Sequence, residues 1–597
     1  MTLPLPLLPT GEPNFKNLRL DNAVYVDKTM YFPLLKQTSK FVFCARPRRF
    51  GKSLTVTALE AYYSGRNELF RGLTAENHMC SSDFVPRPVV RLDMSDVAGS
   101  DSKNNLQKTI LDVLDEIAKH HNVQLRGVDS ARAFLFLMKD VHRTTGKHIV
   151  VLIDEYDAPV INIVQREKSQ NQIRLLNDTR EIIRNFYSMI KSAAEHIDFV
   201  FITGVTKFSR MGIFSTLNNL IDISLEPDFG AFMGYTHDEL KIYFKPFIDE
   251  SSKILKLDEN MVLNQIRDYY DGFSFDGVTR LYNPFSVLSF FSSKTKLFLN
   301  YWMKSGSNTL IRKFLKDQAL TADQFQDMLV DVNFISDPGE IDSTPPEGFL
   351  YQSGYLTLRA KTDTTFTLDY PNLEVRKSFS TLFLQNLTPE SSWSDIDSAG
   401  SELKQCLEAI DVPGMVDVFM RLFADISYQD HSQADRKPTN SVLENIIRKI
   451  GLFLTWGKQL KLSESLAELF RRKMGESFYR SVLHSALCIA GAKVTPERHV
   501  GLGRIDLLVV YGAVIYVIEI KMSEDAQGGE ISAQVGMNQI VEKRYGRAFK
   551  NPVLISLAIG REERNVVACR FEINGEKSII EIDNQGKPIT VREVTQD

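Results

Sequence analysis

Apolar residues fall into two rhythms along this chain. Continuous runs near 41–44, 149–153 and 199–202 are short and rich in Val, Ile and Phe, which suits strands covered on both faces, and 89–94 reads as a further strand. Apolar residues at three- and four-residue spacing over 106–120 and 131–138 predict amphipathic helices. A helix is also expected over 54–63, and another over 30–37 with Thr29 as its cap. Residues 232–380 read as helices and short strands dense in aromatics, which suits domain packing; Asn283-Pro284 marks a turn before a helix. The Ser-rich stretch 388–401 is a linker or a helix entry, and a helical region follows it, broken by polar residues 428–440. Near the C-terminus, 503–511 and 514–521 read as strands between helices at 478–491 and 532–549. Gly512-Ala513 joins the two strands, and Gly first suits a two-residue type II′ turn. Tyr511 then faces Val514. Counting back, Asp506 faces Glu519, with Lys521 on the same side of the hairpin.

Length and composition narrow the picture. A chain of 597 residues is too long for one core, and domains of ~100–200 residues imply three or four. The net charge of -4 excludes a basic character throughout, so any nucleic-acid surface has to be local. Residues 471–550 supply such a region, with twelve Lys and Arg against eight Asp and Glu. The five cysteines are scattered without a C-x-x-C pair, which points away from a disulfide framework or a zinc site and towards a reducing, intracellular compartment. The N-terminus is apolar but interrupted by prolines, and it lacks a basic lead. It reads as neither signal peptide nor membrane span, so the expected location is cytoplasmic, or nuclear in a eukaryote, with no membrane partner.

Chemistry enters at the ends of the apolar runs. After the first run comes Arg46-Pro47-Arg48-Arg49-Phe50-Gly51-Lys52-Ser53-Leu54, the order of strand, phosphate loop and helix. Backbone N–H groups at a helix start and the helix dipole capture anions. Lys52 reaches the β- and γ-phosphates in such a loop, and Ser53 binds Mg²⁺. Arg46 stands where the general pattern G-x-x-x-x-G-K-[ST] has Gly; a strand and helix joined by a basic turn is the plainer alternative. The run at 149–153 ends in Asp154-Glu155. Asp154 is the candidate Mg²⁺ ligand, and Glu155 the candidate catalytic residue that orients water. The strands carrying Lys52 and Asp154 are expected side by side in a parallel sheet. Thr203, at the end of the 199–204 strand, is a candidate contact to the γ-phosphate or the water. Arg210 is a weaker candidate phosphate sensor.

The hairpin holds a second constellation. Two carboxylates directly opposite each other repel, and a divalent cation removes the problem. Asp506 and Glu519 are therefore candidate metal ligands and catalytic residues. Lys521 is a candidate for holding or stabilising the attacking group, the D-(x)n-E-x-K arrangement of metal-dependent nucleases. Glu476 is either a further ligand or a first-turn acid favoured by the helix dipole. A hairpin with charged ends is the plainer alternative.

Taken together these residues resemble a family pairing an AAA-ATPase-like domain with a C-terminal PD-(D/E)XK nuclease domain. The resemblance covers most of the chain. It rests on Val26-Asp27-Lys28-Thr29, Arg46 to Ser53, Ile153 to Asp157, Phe214 to Leu220, Tyr282 to Ser286, Gly354 to Thr357, Pro371-Asn372 with Glu374-Val375, and Gly503 to Lys521. It implies that the loop without a leading Gly is the family's own version, and it matches Gln539 and Tyr545 after the nuclease lysine. Two departures are Ile505, where a small polar residue is usual, and a longer stretch at 433–473. The implied fold class is α/β: a P-loop AAA-type parallel sheet, a helical lid or connector, and a restriction-endonuclease-like α/β domain. The expected divisions are an ATPase domain at 1–290, a lid or winged-helix-like region at 291–385, a helical connector with an insertion at 386–470, and a nuclease domain at 471–597. ATP and Mg²⁺ are the implied cofactors and nucleic acid, DNA first, the implied partner. Ring formation among AAA-type domains makes a homo-oligomer an expectation too. The implied function is ATP binding and hydrolysis coupled to metal-dependent cleavage of phosphodiester bonds. The rival is a nucleotide-switched signalling or scaffold protein whose nuclease-like domain binds nucleic acid without cutting.

Overall fold

The computed structural model describes residues 5–164, 169–207, 217–304, 311–312, 315, 322–331, 335, 346–362, 365–388, 392–426, 464–500, 503–582 and 587–592. The chain divides into two compact units, Met1–Phe314 with Asp327–Val375, and Leu315–Gln326 with Arg376–Asp597.

In the first unit the apolar runs become a parallel sheet. Its strands are β1 (Phe41–Ala45), β2 (Val89–Asp93), β3 (Ile149–Asp154), β4 (Ile197–Gly204) and the short β5 (Ile221–Asp222), in the order β2-β3-β4-β1-β5. Helices α1 (Tyr31–Thr38) and α2 (Lys52–Tyr63) pack on one face, where Phe32, Leu35, Val56, Leu59 and Tyr62 meet Val42, Cys44, Val150, Leu152, Phe199 and Phe201. Strand residues alternate in direction, so Val151 and Ile153 point to the opposite face. The amphipathic helices α3 (Lys103–His120), α4 (Ser130–Thr145) and α5 (Gln170–Ser192) follow β2 and β3. Phe134 and Phe186 stack between α4 and α5 with ring centroids 4.4 Å apart. β3 is buried at every position, as a strand covered on both faces requires.

Two expectations need correction. β4 lies between β1 and β3, so the strands carrying Lys52 and Asp154 are one strand apart. Thr29 does not cap α1: its hydroxyl donates to Asp27 and accepts from the Ala75 N–H, and Met30 occupies the cap position without a side-chain bond. Asn283 does cap its helix, α6 (Pro284–Ser292), by accepting from the Ser286 N–H. Further along, β6 (Met328–Asp331), α7 (Pro346–Ser353), β7 (Thr357–Lys361) and β8 (Thr365–Asp369) include a three-stranded antiparallel sheet. The division between the units falls within α8 (Leu373–Leu387).

In the second unit α8 is followed by α9 (Trp393–Ala409), whose Ser392 forms a capping box, so the Ser-rich stretch is a helix entry. After α10 (Val412–Ala424) and the long α11 (Glu464–Ile489) comes a seven-stranded mixed sheet. It contains β9 (Lys493–Val500), β10 (Gly503–Tyr511), β11 (Val514–Ser523), β12 (Val553–Gly560), β13 (Val566–Ile573), β14 (Glu576–Ile582) and β15 (Pro588–Arg592) in spatial sequence. Only β11 and β12 pair in parallel, and α12 (Gly529–Glu542) is their crossover helix. The small residues Gly529, Ala533 and Gly536 line the buried stripe of α12 and let it approach the sheet closely. Arg210, Phe214 to Thr216 and most of 433–473 lie outside the described residues.

Candidate active sites

At the C-terminal ends of β1 and β3 the structure brings the first set of residues together. Gly51 adopts φ +88°, the left-handed turn that opens α2. Lys52 is buried and donates to the loop carbonyls of Arg46 and Pro47, both at 3.1 Å. The Ser53 hydroxyl hydrogen-bonds the Asp154 carboxylate, which also accepts the Glu155 N–H at 2.9 Å. Glu155 sits at φ +46°, a strained value for a non-glycine residue that turns the chain sharply at the strand tip. Burial raises the pKa of Asp154, opposed by the Ser53 bond and the Lys52 charge. It also raises that of Glu155, again opposed by Lys52. Burial lowers Lys52, while Glu155, Asp154 and Asp157 hold it up. Ser53 and Asp154 are the oxygen donors an Mg²⁺ takes, and Lys52 is a cation waiting at a helix start, so the residues fit Mg-ATP.

Of the rest of the loop, Arg46, Pro47 and Phe50 are buried, whereas Arg48 and Arg49 are exposed. Arg46 is fully buried, donating to the carbonyls of Ala45, Ser224 and Phe229, with its guanidinium 4.1 Å from the Phe275 ring centre. Pro47 lies against Gly354, where a Cβ would come within 2.7 Å of it. The Arg48 carbonyl accepts the Trp302 indole N–H, Arg49 stacks over Phe285, and Phe50 packs on Phe273 and Phe275. Leu54 packs against the core of the sheet. Thr203 is buried, and its hydroxyl donates to the Cys44 carbonyl at 2.7 Å.

The hairpin keeps the register its turn dictates, from Tyr511 with Val514 down to Leu507 with Ile518. Beyond Leu507, the Asp506 carboxylate takes the Ile520 N–H at 2.9 Å. Glu519 is 1% exposed. Its Oε1 accepts from Lys521 Nζ at 2.8 Å and from the Gln539 amide, while its Oε2 is buried without a partner. Burial, then the charge of Asp506, pushes the Glu519 carboxyl up to about 7. Burial raises Asp506 as well, against the Lys521 charge. For Lys521 burial works downward, but Glu519 and Asp506 outweigh it and raise the pKa. An orphaned buried carboxylate oxygen beside a second, half-buried carboxylate is a donor set that fits a divalent cation. Among the described residues no three His, Cys, Asp or Glu side chains gather as a metal centre.

Family comparisons match both regions. Residues 9–214 fit a model described as "Predicted AAA-ATPase", and residues 474–569 one described as "PD-(D/E)XK nuclease superfamily". The chain joins an AAA-ATPase-like domain to a PD-(D/E)XK nuclease-superfamily domain. The "Uncharacterized protein in vnfD 5'region" of Azotobacter chroococcum mcd 1 is 29% identical over 578 residues, covering 95% of this chain and 99% of its own length. The five-stranded parallel sheet is accordingly P-loop AAA-like, the seven-stranded mixed sheet restriction-endonuclease-like, and the whole α/β.

Both domains hold residues that the motifs alone do not assign. In the AAA-ATPase-like domain, buried Asp157 accepts the Val205 and Thr206 N–H groups and ties the tip of β3 to that of β4. Gly204 is needed there, since a Cβ would lie 2.5 Å from Asp157 Oδ1 and from the Tyr156 ring. In the nuclease-superfamily domain, β12 sets Ser556 beside Glu519, with its hydroxyl buried and unpartnered. Glu476 stands well inside α11, so the first-turn dipole reading does not hold, and its charge acts on Lys521. Tyr545 donates to the Arg504 carbonyl at 2.8 Å, beside Gly503. No helix among the described residues is long and apolar enough to cross a membrane.

Proposed function

We propose that the AAA-ATPase-like domain binds and hydrolyses ATP, and that this activity is coupled to metal-dependent cleavage of nucleic-acid phosphodiester bonds, DNA first, in the nuclease-superfamily domain. The observation that carries the reading is Glu519: a buried carboxylate with one oxygen held by Lys521 and Gln539 and the other unpartnered, next to Asp506. Asp506 and Glu519 would hold a divalent cation, which would supply Lewis-acid polarisation of the scissile phosphate. Lys521 keeps Glu519 oriented and offsets the negative charge gathered there. Gln539 fixes the same oxygen from α12 and so leaves Oε2 buried without a hydrogen-bond partner. In the other domain Ser53 and Asp154 hold Mg²⁺, Lys52 receives the phosphates, and Glu155 orients water. We assign the ATPase part to 1–290 and the nuclease part to 471–597, with the lid and connector between.

The test is incubation of the purified full chain with supercoiled DNA, with and without ATP and with Mg²⁺, Mn²⁺ or EDTA. Nicked or linear product is expected only with metal, and ATP is expected to change its rate. Product that persists in Asp506→Ala would overturn the assignment of the cleaving residues.

A further inference from the structure

The segment Tyr351 to Tyr355 carries a feature that the motifs at the two strand tips leave unexplained. Gln352 lies at the end of α7 and is 6% exposed. Its Oε1 accepts the Lys207 backbone N–H at 3.0 Å. That donor fixes which way the amide points, because Nε2 has no lone pair with which to accept it. Nε2 is therefore turned away from Lys207, and it is buried without any partner. A buried amide donor without an acceptor is costly in a protein interior.

The place of this donor is as informative as its lack of a partner. Lys207 lies three residues past β4, the strand between the phosphate-loop strand β1 and the acidic strand β3. Two residues beyond Gln352, Gly354 packs directly on Pro47 of the loop. On either side, Tyr351 feels the charge of Arg46 and Tyr355 that of Arg48. The Lys207 ammonium is already engaged, pairing with Asp222 at 2.6 Å. What is left beside Lys207 is a neutral amide whose oxygen is bonded and whose N–H groups are buried without an acceptor.

We propose that Gln352 reads the γ-phosphate of a bound nucleoside triphosphate, its Nε2 donating to a terminal phosphate oxygen while Oε1 stays on Lys207. This rests on the reading of Lys52, Ser53 and Asp154 as a triphosphate site. It makes the lid segment around α7 sensitive to whether the nucleotide has two phosphates or three.

The test titrates ADP and the non-hydrolysable β,γ-imido analogue of ATP, each with Mg²⁺, onto the full chain by calorimetry. Gln352→Glu keeps an acceptor for Lys207 and replaces the donor by a negative charge; Gln352→Met removes both groups at similar volume. Gln352→Glu is expected to lose about tenfold or more in affinity for the imido analogue while holding ADP within about twofold, with Gln352→Met losing less. A residue that merely props up Lys207 predicts the reverse ranking and equal effects on both nucleotides, and that result overturns the proposal. Unchanged affinity for the imido analogue in both variants overturns it too. If thermal melting shows Gln352→Glu unfolded, Gln352→Met decides by the same ADP-against-analogue split. Wild-type protein that binds neither nucleotide overturns the triphosphate site itself, whereas wild-type binding that Lys52→Ala abolishes and Gln352 variants leave intact overturns only the role of Gln352.

Discussion

Lys521 faces the carboxylates of buried Glu519 and half-buried Asp506, which its ammonium can neutralise, but an ammonium cannot ligate a cation. Lys521→Ala is expected to lower DNA cleavage on the order of a hundredfold or more, while Mn²⁺ affinity measured by calorimetry stays level or rises because a positive neighbour has gone. Weaker Mn²⁺ binding in that variant would make Lys521 a structural prop. At the phosphate loop, Lys52→Ala should abolish ATP binding, whereas Glu155→Gln should keep binding and lose turnover. Equal phosphate release by wild type and Glu155→Gln would remove Glu155 from its role. Glu374 carries a pH dependence of a different kind. It is fully buried, it accepts the Trp302 N–H at 2.8 Å and the Ser286 hydroxyl at 2.7 Å, and burial raises its pKa from 4.5 to about 8. The unfolded chain releases this proton first, so the contribution to stability is full below about 4.5 and is lost as pH rises through about 8. Glu374→Gln mimics the protonated form. The variant should melt higher than wild type at pH 8 and about equally at pH 4.5, a difference on the order of a few kcal/mol. Parallel melting curves across that range would refute the shift.

Helix α12 shows how one element holds a site in place. A Cβ at Gly536 would overlap the Ser556 hydroxyl and come within 3.2 Å of Lys521 Cγ. Gly536→Ala should therefore push α12 off the sheet, lower stability by about 1–3 kcal/mol and withdraw Gln539 from Glu519. A thermal melt and the plasmid assay read the two effects, and an unchanged melt would mean the helix gives way freely. The sequence makes such elements legible to different depths. β1, β3 and β4 are apparent because a strand covered on both faces must be apolar throughout. The pairing of β10 with β11 is legible because a two-residue turn leaves only one register. The place of β4 between β1 and β3 is not, since strand order is a matter of long-range packing that no local pattern encodes. β12 has a clear apolar signal, Val553–Gly560 being apolar but for Ser556 and the closing glycine, yet nothing local says that it lies parallel to β11. Arg46 is the sharpest case among the site residues. Its position in the motif points to phosphate, but its partners Ser224, Phe229 and Phe275 lie so far along the chain that only the fold shows the side chain turned inward.

At the scale of the molecule, the two constellations belong to different compact units. Asp506→Ala should thus abolish cleavage yet leave ATP turnover, measured without DNA, unchanged; a collapse of turnover would show that the substitution unfolds more than its own unit. The inward grip on the phosphate loop also bears on how the protein is made. The match to the AAA-ATPase-like family ends at residue 214, but the loop is held by Ser224, Phe229, Phe275, Phe285, Trp302 and Gly354. On the ribosome, where a chain emerges N-terminus first, the loop is synthesised some three hundred residues before its last anchor, at about 5–20 residues per second. The nascent chain should therefore gain nucleotide affinity only after Gly354 has cleared the exit tunnel. Stalled chains ending well short of that point should fail to retain ATP, although every residue of the phosphate-binding motif is already outside.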